Sequence, residues 1–560
     1  MKRLLQAAFF LFALSLSQAQ TPTFTDIAAQ ARLTQPIVYG GVESKKFIIE
    51  TNGCGVAFYD YDNDGWIDIV TLGGSRLEGA PKDATNRLYK NNRNGTFTDV
   101  TAKAGLTRTG WASALCIGDY DNDGWDDLFL SYYGKNALYK NNGNGSFTDV
   151  TKRTKLDFTG TRWGSGCTFI DYDRDGKLDL FVSNYLTFDL QAAAEPGKGA
   201  TCVWKGIPVN CGPKGLPFAR NWLYHGVVGK GGEVTFSDVS ERSGISKVFE
   251  RYPMSAVAAD FNEDGWQDIY VACDSTASIL YRNNADGTFT DVALESGTAY
   301  NEDGQPQAGM GLGIGDYNND GKLDIFKTHF AEDTPVLYRN VGKWLFEDVT
   351  FAAGFGTATK YVCWGAGLPD FDNDGWADIA FVTGNVYPEV EKYFKDYPHR
   401  SPRLVFRNLG NSRFANVSAE SGSGVTTPHS SRGSAFGDFD NDGDLDWLIM
   451  NMNEPPSLLR NENAGQNNWL KIKLIGTQSN RTALGARVIV TVGEQQQAQV
   501  VLSQSSYYSH NDLRLHFGLG VRNQADRVTV YWPSGQVDKV SGVRANQITT
   551  IREGSSSSNK

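Results

Sequence analysis

Three observations predict an all-β fold: a seven-bladed β-propeller followed by a small all-β C-terminal domain. One acidic turn is written seven times in the chain. Its copies recur with a period near 55 residues inside β-rich text, the signature of a propeller or solenoid. The last copy lacks an outer strand, and the N-terminal region carries one that would complete it.

The turn first occurs at Asp60-Tyr61-Asp62-Asn63-Asp64-Gly65-Trp66-Ile67-Asp68, which reads D-x-D-x-D-G-x-x-D. Each copy sets side-chain oxygens at positions 1, 3, 5 and 9, with Gly at position 6. That is an oxygen cage with a sharp bend, which suits a hard cation such as Ca²⁺. The candidate ligands in the first three turns are Asp60, Asp62, Asp64 and Asp68; Asp119, Asp121, Asp123 and Asp127; and Asp171, Asp173, Asp175 and Asp179. The next two turns offer Asp260, Asn262, Asp264 and Asp268, then Asp316, Asn318, Asp320 and Asp324. The last two offer Asp370, Asp372, Asp374 and Asp378, then Asp438, Asp440, Asp442 and Asp446. Up to seven calcium ions are expected. Asp, Asn and Gly also suit metal-free turns, but converging carboxylates repel one another unless a cation lies between them. A helix-flanked calcium loop would close with Glu at position 12. Here strand-like text follows, as in Ile67-Asp68-Ile69-Val70-Thr71, so the turn joins two strands.

Successive turns start 59, 52, 89, 56, 54 and 68 residues apart. Within each period a small-residue strand enters the turn and a hydrophobic strand leaves it. L-Y-[KR]-N follows, as at Leu88-Tyr89-Lys90-Asn91, then a hairpin turn such as Asn94-Gly95, then F-T-D-V, as at Phe97-Thr98-Asp99-Val100. Four strands make one propeller blade. The small residues belong to inner strands crowded around the axis. The seventh repeat stops at Leu459-Arg460-Asn461, and Phe24-Thr25-Asp26-Ile27 supplies the missing F-T-D-V, which closes the ring. A closed ring leaves fewer open sheet edges.

The third repeat carries an insert over about residues 185–222 and the sixth over 385–403, both after the second strand. They should therefore lie at the end of the ring opposite the acidic turns. The connections between blades share that end. They bring Trp111, Arg162, Trp163, Arg251, Trp364, His429 and Arg432 towards the axial mouth. Two readings stay open for this group: a pocket for an anionic or sugar-like ligand, or a cap on the axis. Loops on a rigid frame are where binding commonly sits.

From about residue 467 the text changes to β-branched runs: Trp469 to Leu474, Ala486 to Val492, Ala498 to Leu502 and Val528 to Trp532. Residues 503–512, Ser-Gln-Ser-Ser-Tyr-Tyr-Ser-His-Asn-Asp, form its densest polar stretch. Nothing there resembles a nucleophile elbow, and hydroxyl-rich loops usually bond their own backbone. The expected division is 1–19, 20–464, 467–553 and a tail over 554–560.

Lys2 and Arg3, the apolar run over residues 4–16 and the small-x-small site Ser17-Gln18-Ala19 read as a cleaved signal peptide. The protein is expected to be secreted or periplasmic, and no later stretch is apolar enough to span a membrane. Hydrophobic content of 40% and charged content of 21% are those of a folded chain. The net charge of −11 sits largely in the acidic turns, and no basic patch points to nucleic acid. Of seven cysteines, Cys202 and Cys211 flank a short segment and are the expected disulfide. Cys54, Cys116, Cys167, Cys273 and Cys363 lie in strand text and read as small buried hydrophobes.

The repeated turns, preceded by small-residue strands, resemble the FG-GAP/VCBS repeats of integrin-α-type propellers. Gly485-Ala486-Arg487-Val488, Ser506-Tyr507, residues 514–520 (Arg-Leu-His-Phe-Gly-Leu-Gly) and Trp532-Pro533-Ser534-Gly535 resemble an ASPIC/UnbV domain. Together they resemble the bacterial relatives of cartilage acidic protein. The resemblance implies calcium binding and an extracellular role, but no settled activity. Asn262 and Asn318 depart from the Asp of the pattern, and calcium is expected to be weaker in those turns. The function expected is an exported calcium-binding module for an extracellular protein or glycan. The alternative is a polysaccharide lyase or hydrolase working at the axial mouth.

Overall fold

The computed structural model describes residues 21–463 and 467–555. The expected signal peptide lies outside the described residues, as does the end of the expected tail. No helix among the described residues is long and apolar enough to cross a membrane.

Among the described residues the first part of the chain forms seven four-stranded antiparallel units, each ordered inner, second, third and outer strand. In the first blade these are Val56–Tyr59, Asp68–Thr71, Arg87–Asn91 and Phe97–Asp99. Blades two and three are also joined where the start of the third inner strand meets the end of blade two's second strand, Arg162 pairing with Gly134 and Trp163 with Tyr133. The seventh blade closes as expected: Phe24–Asp26 pairs with Ser457–Asn461 in the register Phe24 to Asn461, Thr25 to Arg460 and Asp26 to Leu459. Phe24 is buried edge-on against Phe371 at 4.8 Å.

The inner strands are small because they have little room. A Cβ on Gly55 would stand 1.8 Å from the Tyr508 carbonyl oxygen, and one on Gly433 would stand 2.6 Å from the Cys54 carbonyl. In five blades the inner strand shifts register against its neighbour at the same level, for instance between Gly164 and Cys167 and between Ser431 and Ser434. Such bulges bend a strand.

Two asparagine belts tie blade to blade. The Asn that ends L-Y-[KR]-N reaches back into the preceding turn: Asn141 Nδ2 donates to the Tyr61 carbonyl at 2.7 Å and Asn408 to Tyr317 at 2.8 Å. Asn91 does the same to Phe439 of the seventh blade at 2.8 Å, so the belt runs through the ring closure. A second Asn, at position 4 of the turn, reaches forward to the position-6 glycine of the next. Asn63 donates to the Gly124 carbonyl, Asn319 to Gly375 and Asn441 to Gly65. This residue has φ of 54° in Asn63 and 59° in Asn441, a conformation Asn tolerates better than most side chains.

Residues 467–555 build two further sheets. One has three strands, with Asn468–Ile475 between Leu515–Gly520 and Gln547–Arg552, the last pairing parallel. The other has four, in the order Gln495–Val500, Arg487–Val492, Gln524–Tyr531, Val537–Arg544. Three of these seven strands, those starting at Leu515, Val537 and Gln547, are absent from the β-branched runs predicted from sequence. Glu553 staples this region. Its carboxylate accepts the N–H groups of Thr477, Gln478 and Ser479 at 2.7–2.8 Å and the hydroxyls of Ser479 and Ser534.

The polar stretch over residues 503–512 does bond itself, with Ser505 and Ser509 exchanging backbone bonds and the Ser509 hydroxyl donating to the Tyr507 carbonyl, but it is not a surface loop. It enters the propeller axis and touches the inner strands of all seven blades. Phe58 N–H donates to the His510 carbonyl, Leu115 to Tyr508, Ile117 to Ser503 and Leu312 to Ser506, at 3.0–3.2 Å. Phe169 N–H donates to the Ser503 hydroxyl, Ala256 N–H to the Gln504 side chain, and Asp512 N–H to the Phe436 carbonyl. Tyr507 packs its ring 5.1 Å from Trp364 of the sixth blade. The inner strands carry backbone groups that no neighbouring blade reaches, and buried groups of that kind need partners. A stretch rich in hydroxyls, amides and exposed backbone supplies them.

Two measurements test these links. Asn91→Ala leaves the Ile67 and Phe439 carbonyls without their donor and should cost about 1–3 kcal/mol in urea unfolding. Substituting the exposed neighbour Asn92 should change stability by less than about 0.5 kcal/mol. Burial alone would raise the Glu553 carboxyl, but its hydroxyl and N–H donors hold it below the usual 4.5. Its contribution is therefore present above pH 4.5 and lost as pH falls through the depressed value. Glu553→Gln should cost about 1.5–3 kcal/mol at pH 7, and the gap to wild type should close on acidification.

Candidate metal centres and the axial mouth

Each acidic turn is wrapped on its own first carboxylate. Asp60 Oδ1 accepts the Asp64 N–H at 3.0 Å and Oδ2 accepts Gly65 N–H at 3.1 Å. The same pair recurs at Asp119, Asp171, Asp260, Asp316, Asp370 and Asp438. The position-9 carboxylate is the innermost. Asp68, Asp127, Asp179, Asp268, Asp324, Asp378 and Asp446 are all buried. One oxygen of Asp68 accepts N–H from Asn91 of the third strand at 2.7 Å and the other from Tyr61 in the turn at 3.3 Å. This carboxylate thus joins the second strand, the turn and the third strand.

Burial makes that arrangement costly. It raises Asp171 to about 8, with the carboxylates of Asp179, Asp175 and Asp173 adding to the rise. Burial likewise lifts Asp119 and Asp316 to about 7. A positive charge in the turn offsets this, and the third strand supplies one in several blades. Lys90 reaches Asp62 and, at 3.4 Å, Asp64; Lys140 reaches Asp121 and Asp123; Arg407 holds Asp372 at 2.9 Å and Asp374 at 3.0 Å. The basic residue of L-Y-[KR]-N therefore has a role that spacing alone did not reveal.

The oxygens nevertheless fit a cation. Oδ1 of Asp62, Asp121, Asp173 and Asp440, the position-3 residues of turns one, two, three and seven, is buried without any hydrogen-bond partner. Ligand oxygens of Asp60, Asp62 and Asp68, of Asp119, Asp121 and Asp127, of Asp171, Asp173 and Asp175, and of Asp370, Asp372 and Asp374 lie within 4.8 Å of one another. The two Asn-containing turns differ. Asn262 and Asn318 donate to Asp264 and Asp320 at 2.8 and 3.3 Å, so the amide partly satisfies the cage from within.

The C-terminal sheets lie over these turns. Asp119 N–H donates to Thr482, Asn467 to the Asp372 carbonyl, Arg174 to the Pro533 carbonyl and Arg514 to the Asp438 carbonyl. Lys471 pairs with Asp438, and both are buried.

At the opposite end the two inserts meet. The third-blade insert is closed by the Cys202–Cys211 disulfide and carries a small hairpin, Val203–Trp204 with Ile207–Pro208. Trp204 packs 5.0 Å from Tyr397 and 5.8 Å from Tyr387 of the sixth-blade insert, and Lys205 pairs with Glu332 at 2.5 Å. The remaining five cysteines are buried and free. Beneath this roof lies a cavity of about 270 Å³, lined among others by Tyr185, Lys214, Asp274, Phe330, Trp364 and Tyr387.

The seven residues expected at the mouth are not brought together. Trp364 lines the cavity. Arg432 is wholly buried, stacked 4.1 Å from the Trp364 ring, with Nε donating to the Thr51 carbonyl at 2.8 Å. Arg162 and Trp163 border a separate cleft of about 280 Å³, where Arg162 stacks on Trp222 at 3.8 Å. Trp111 packs against Tyr39, Arg251 bonds the carbonyls of Phe249 and Glu250, and His429 pairs with Glu454 at 2.5 Å. The inserts cover the end of the axis and split the mouth. Tyr185, Asp274 and Tyr387 line the cavity under the roof in their place, and the sequence places Tyr387 only within the sixth-repeat insert.

The family model for the FG-GAP-like repeat matches residues 60–130, 119–182 and 260–327, and the ASPIC and UnbV model matches 476–558. The chain is similar to cartilage acidic protein 1 of Mus musculus, 25% identical over 528 residues covering 89% of this chain and 73% of that protein. The Homo sapiens protein is 24% identical over 515 residues, covering 86% and 69%. Among solved structures, a Trypanosoma rangeli sialidase in complex with sialic acid aligns at 12% identity with a TM-score of 0.35, covering 70% of this chain and 58% of that one. So loose an overlay carries no residue across. Repeats, C-terminal motif and relatives agree: the chain is an FG-GAP-repeat β-propeller protein with a C-terminal ASPIC/UnbV domain, homologous to cartilage acidic protein 1.

Proposed function

We propose that this protein is an exported, calcium-binding β-propeller that holds an extracellular protein or glycan at its insert-bearing end. The observation that carries the calcium reading is the set of buried, unpartnered carboxylate oxygens of Asp62, Asp121 and Asp440 in turns one, two and seven. Calcium would take those oxygens together with the position-1, -5 and -9 carboxylates and leave the strand-three cations free. Its role is structural, tying the first three strands of each blade.

The binding reading is supported by the cavity beneath the roof. It combines aromatic faces from Tyr185, Trp364 and Tyr387 with Asp274 and the exposed Lys214. A rigid concave site of mostly apolar lining and a few polar groups is the usual form of a binding pocket, and this one is the size of a single sugar ring or side chain. The hydrolase or lyase reading had relied on Arg162, Arg251, His429 and Arg432 acting together, and these residues lie in separate places.

Two experiments follow. Removing calcium with EDTA should lower the melting temperature by several degrees, since each site held at 100-fold over its Kd adds about 2.7 kcal/mol; an identical melting curve would remove the structural role. A screen of glycans and secreted proteins against the calcium-loaded protein should give ligands that Tyr387→Ala and Lys214→Ala each weaken about ten-fold or more. Ligands indifferent to both substitutions would place binding elsewhere.

A further inference from the structure

The third blade breaks the pattern at one position. Where six blades put Lys90, Lys140, Arg282, Arg339, Arg407 and Arg460 on the third strand, the third puts His225. The register is unchanged: Gly226 N–H donates to Asp179 Oδ1 at 2.8 Å, as Asn91 N–H does to Asp68 at 2.7 Å. His225 Nδ1 therefore points into the acidic turn, 3.0 Å from Asp179 Oδ1 and 3.5 Å from Asp173 Oδ2. The edge of Tyr172, 5.9 Å between ring centres, fixes the imidazole plane. Asp179 is buried, and Asp173 Oδ1 is one of the buried oxygens without a partner.

Three acceptor-capable atoms this close need a proton or a cation between them. Lysine and arginine can only be the cation themselves, whereas neutral imidazole can bind one. The chemistry of the donor set then selects the ion. Calcium takes oxygen ligands, while imidazole with carboxylates suits zinc and its first-row neighbours. Bonds of 2.0–2.2 Å in a tetrahedron set ligand atoms about 3.3–3.6 Å apart; His225 Nδ1 stands 3.0 and 3.5 Å from its two carboxylates, and ligand atoms of all three residues lie within 4.8 Å of one another. Asp175 is paired with Lys177, two residues on in the same turn. His225 is about one-fifth exposed, which leaves a coordination position open to water.

We infer that His225, Asp173 and Asp179 form a zinc-class transition-metal site in the third blade, distinct in ligand chemistry from the oxygen-only turns. This rests on reading the acidic turns as metal loops.

The test uses the full mature chain, stripped of metal and then saturated with calcium. Titration with Co²⁺ should give one equivalent of visible d–d absorption that Zn²⁺ abolishes and millimolar Ca²⁺ does not. His225→Lys, which copies the other blades, and His225→Gln should each weaken Co²⁺ binding by at least about ten-fold while leaving calcium stoichiometry at the other turns unchanged. Absence of the absorption in wild type, its persistence in both variants, or its displacement by calcium would each overturn the inference; a histidine that only holds a proton gives the first of these. Cobalt binding without any calcium uptake would instead contradict the calcium reading and leave this site standing.

Discussion

The structure depends on a carboxylate that is buried where three strands meet. In every blade the position-9 aspartate sits at or below about 1% exposure and takes backbone N–H groups from the turn and from the third strand. Those bonds fix the turn against the sheet, but they leave a negative charge out of water beside two or three others. Buried charge must be compensated. The turn is therefore both the joint of the blade and its electrostatic weak point, which accounts for the basic residue on the third strand and for the oxygens that remain unpaired.

The same constraint connects the two ends of the molecule. The turn end is covered by the C-terminal region, which donates to the turns through Asn467, Arg514 and Lys471 and accepts the Asp119 N–H on Thr482. From that cover residues 503–512 run down the axis and satisfy backbone groups of the inner strands. Tyr507 then reaches the far end, with its hydroxyl on the Asn52 carbonyl at 3.0 Å and its ring on Trp364, which lines the cavity. Whatever stabilises the turns also steadies the floor of that cavity, by a continuous set of packed groups.

Much of this was legible in the residues. The repeat of the acidic turn specified the blades, the orphan F-T-D-V at Phe24 specified the closure, and the position of the inserts after second strands placed them together. These features are local in sequence and repeated, so the pattern speaks several times. What stayed hidden depends on contacts between distant segments. The strand Val537–Arg544 is largely exposed and lacks a clean alternation, and Gln547–Arg552 pairs with a strand some 80 residues earlier. The axial stretch looks like an ordinary polar loop until the inner strands it satisfies are in place. Chain position puts the mouth residues at one end of the ring without fixing where their side chains go, and Arg432 in particular is held inside by the Thr51, Gly384 and Ser431 carbonyls.

The central claim is that a divalent cation occupies the acidic turns. The most direct measurement is an anomalous-difference map from crystals of the protein grown with calcium. Peaks are expected within the oxygen-only turns built on Asp62, Asp121 and Asp440, with the Lys90 and Lys140 ammonium groups displaced from their aspartates. Featureless turns, with both lysines still seated on Asp62 and Asp121, would contradict it.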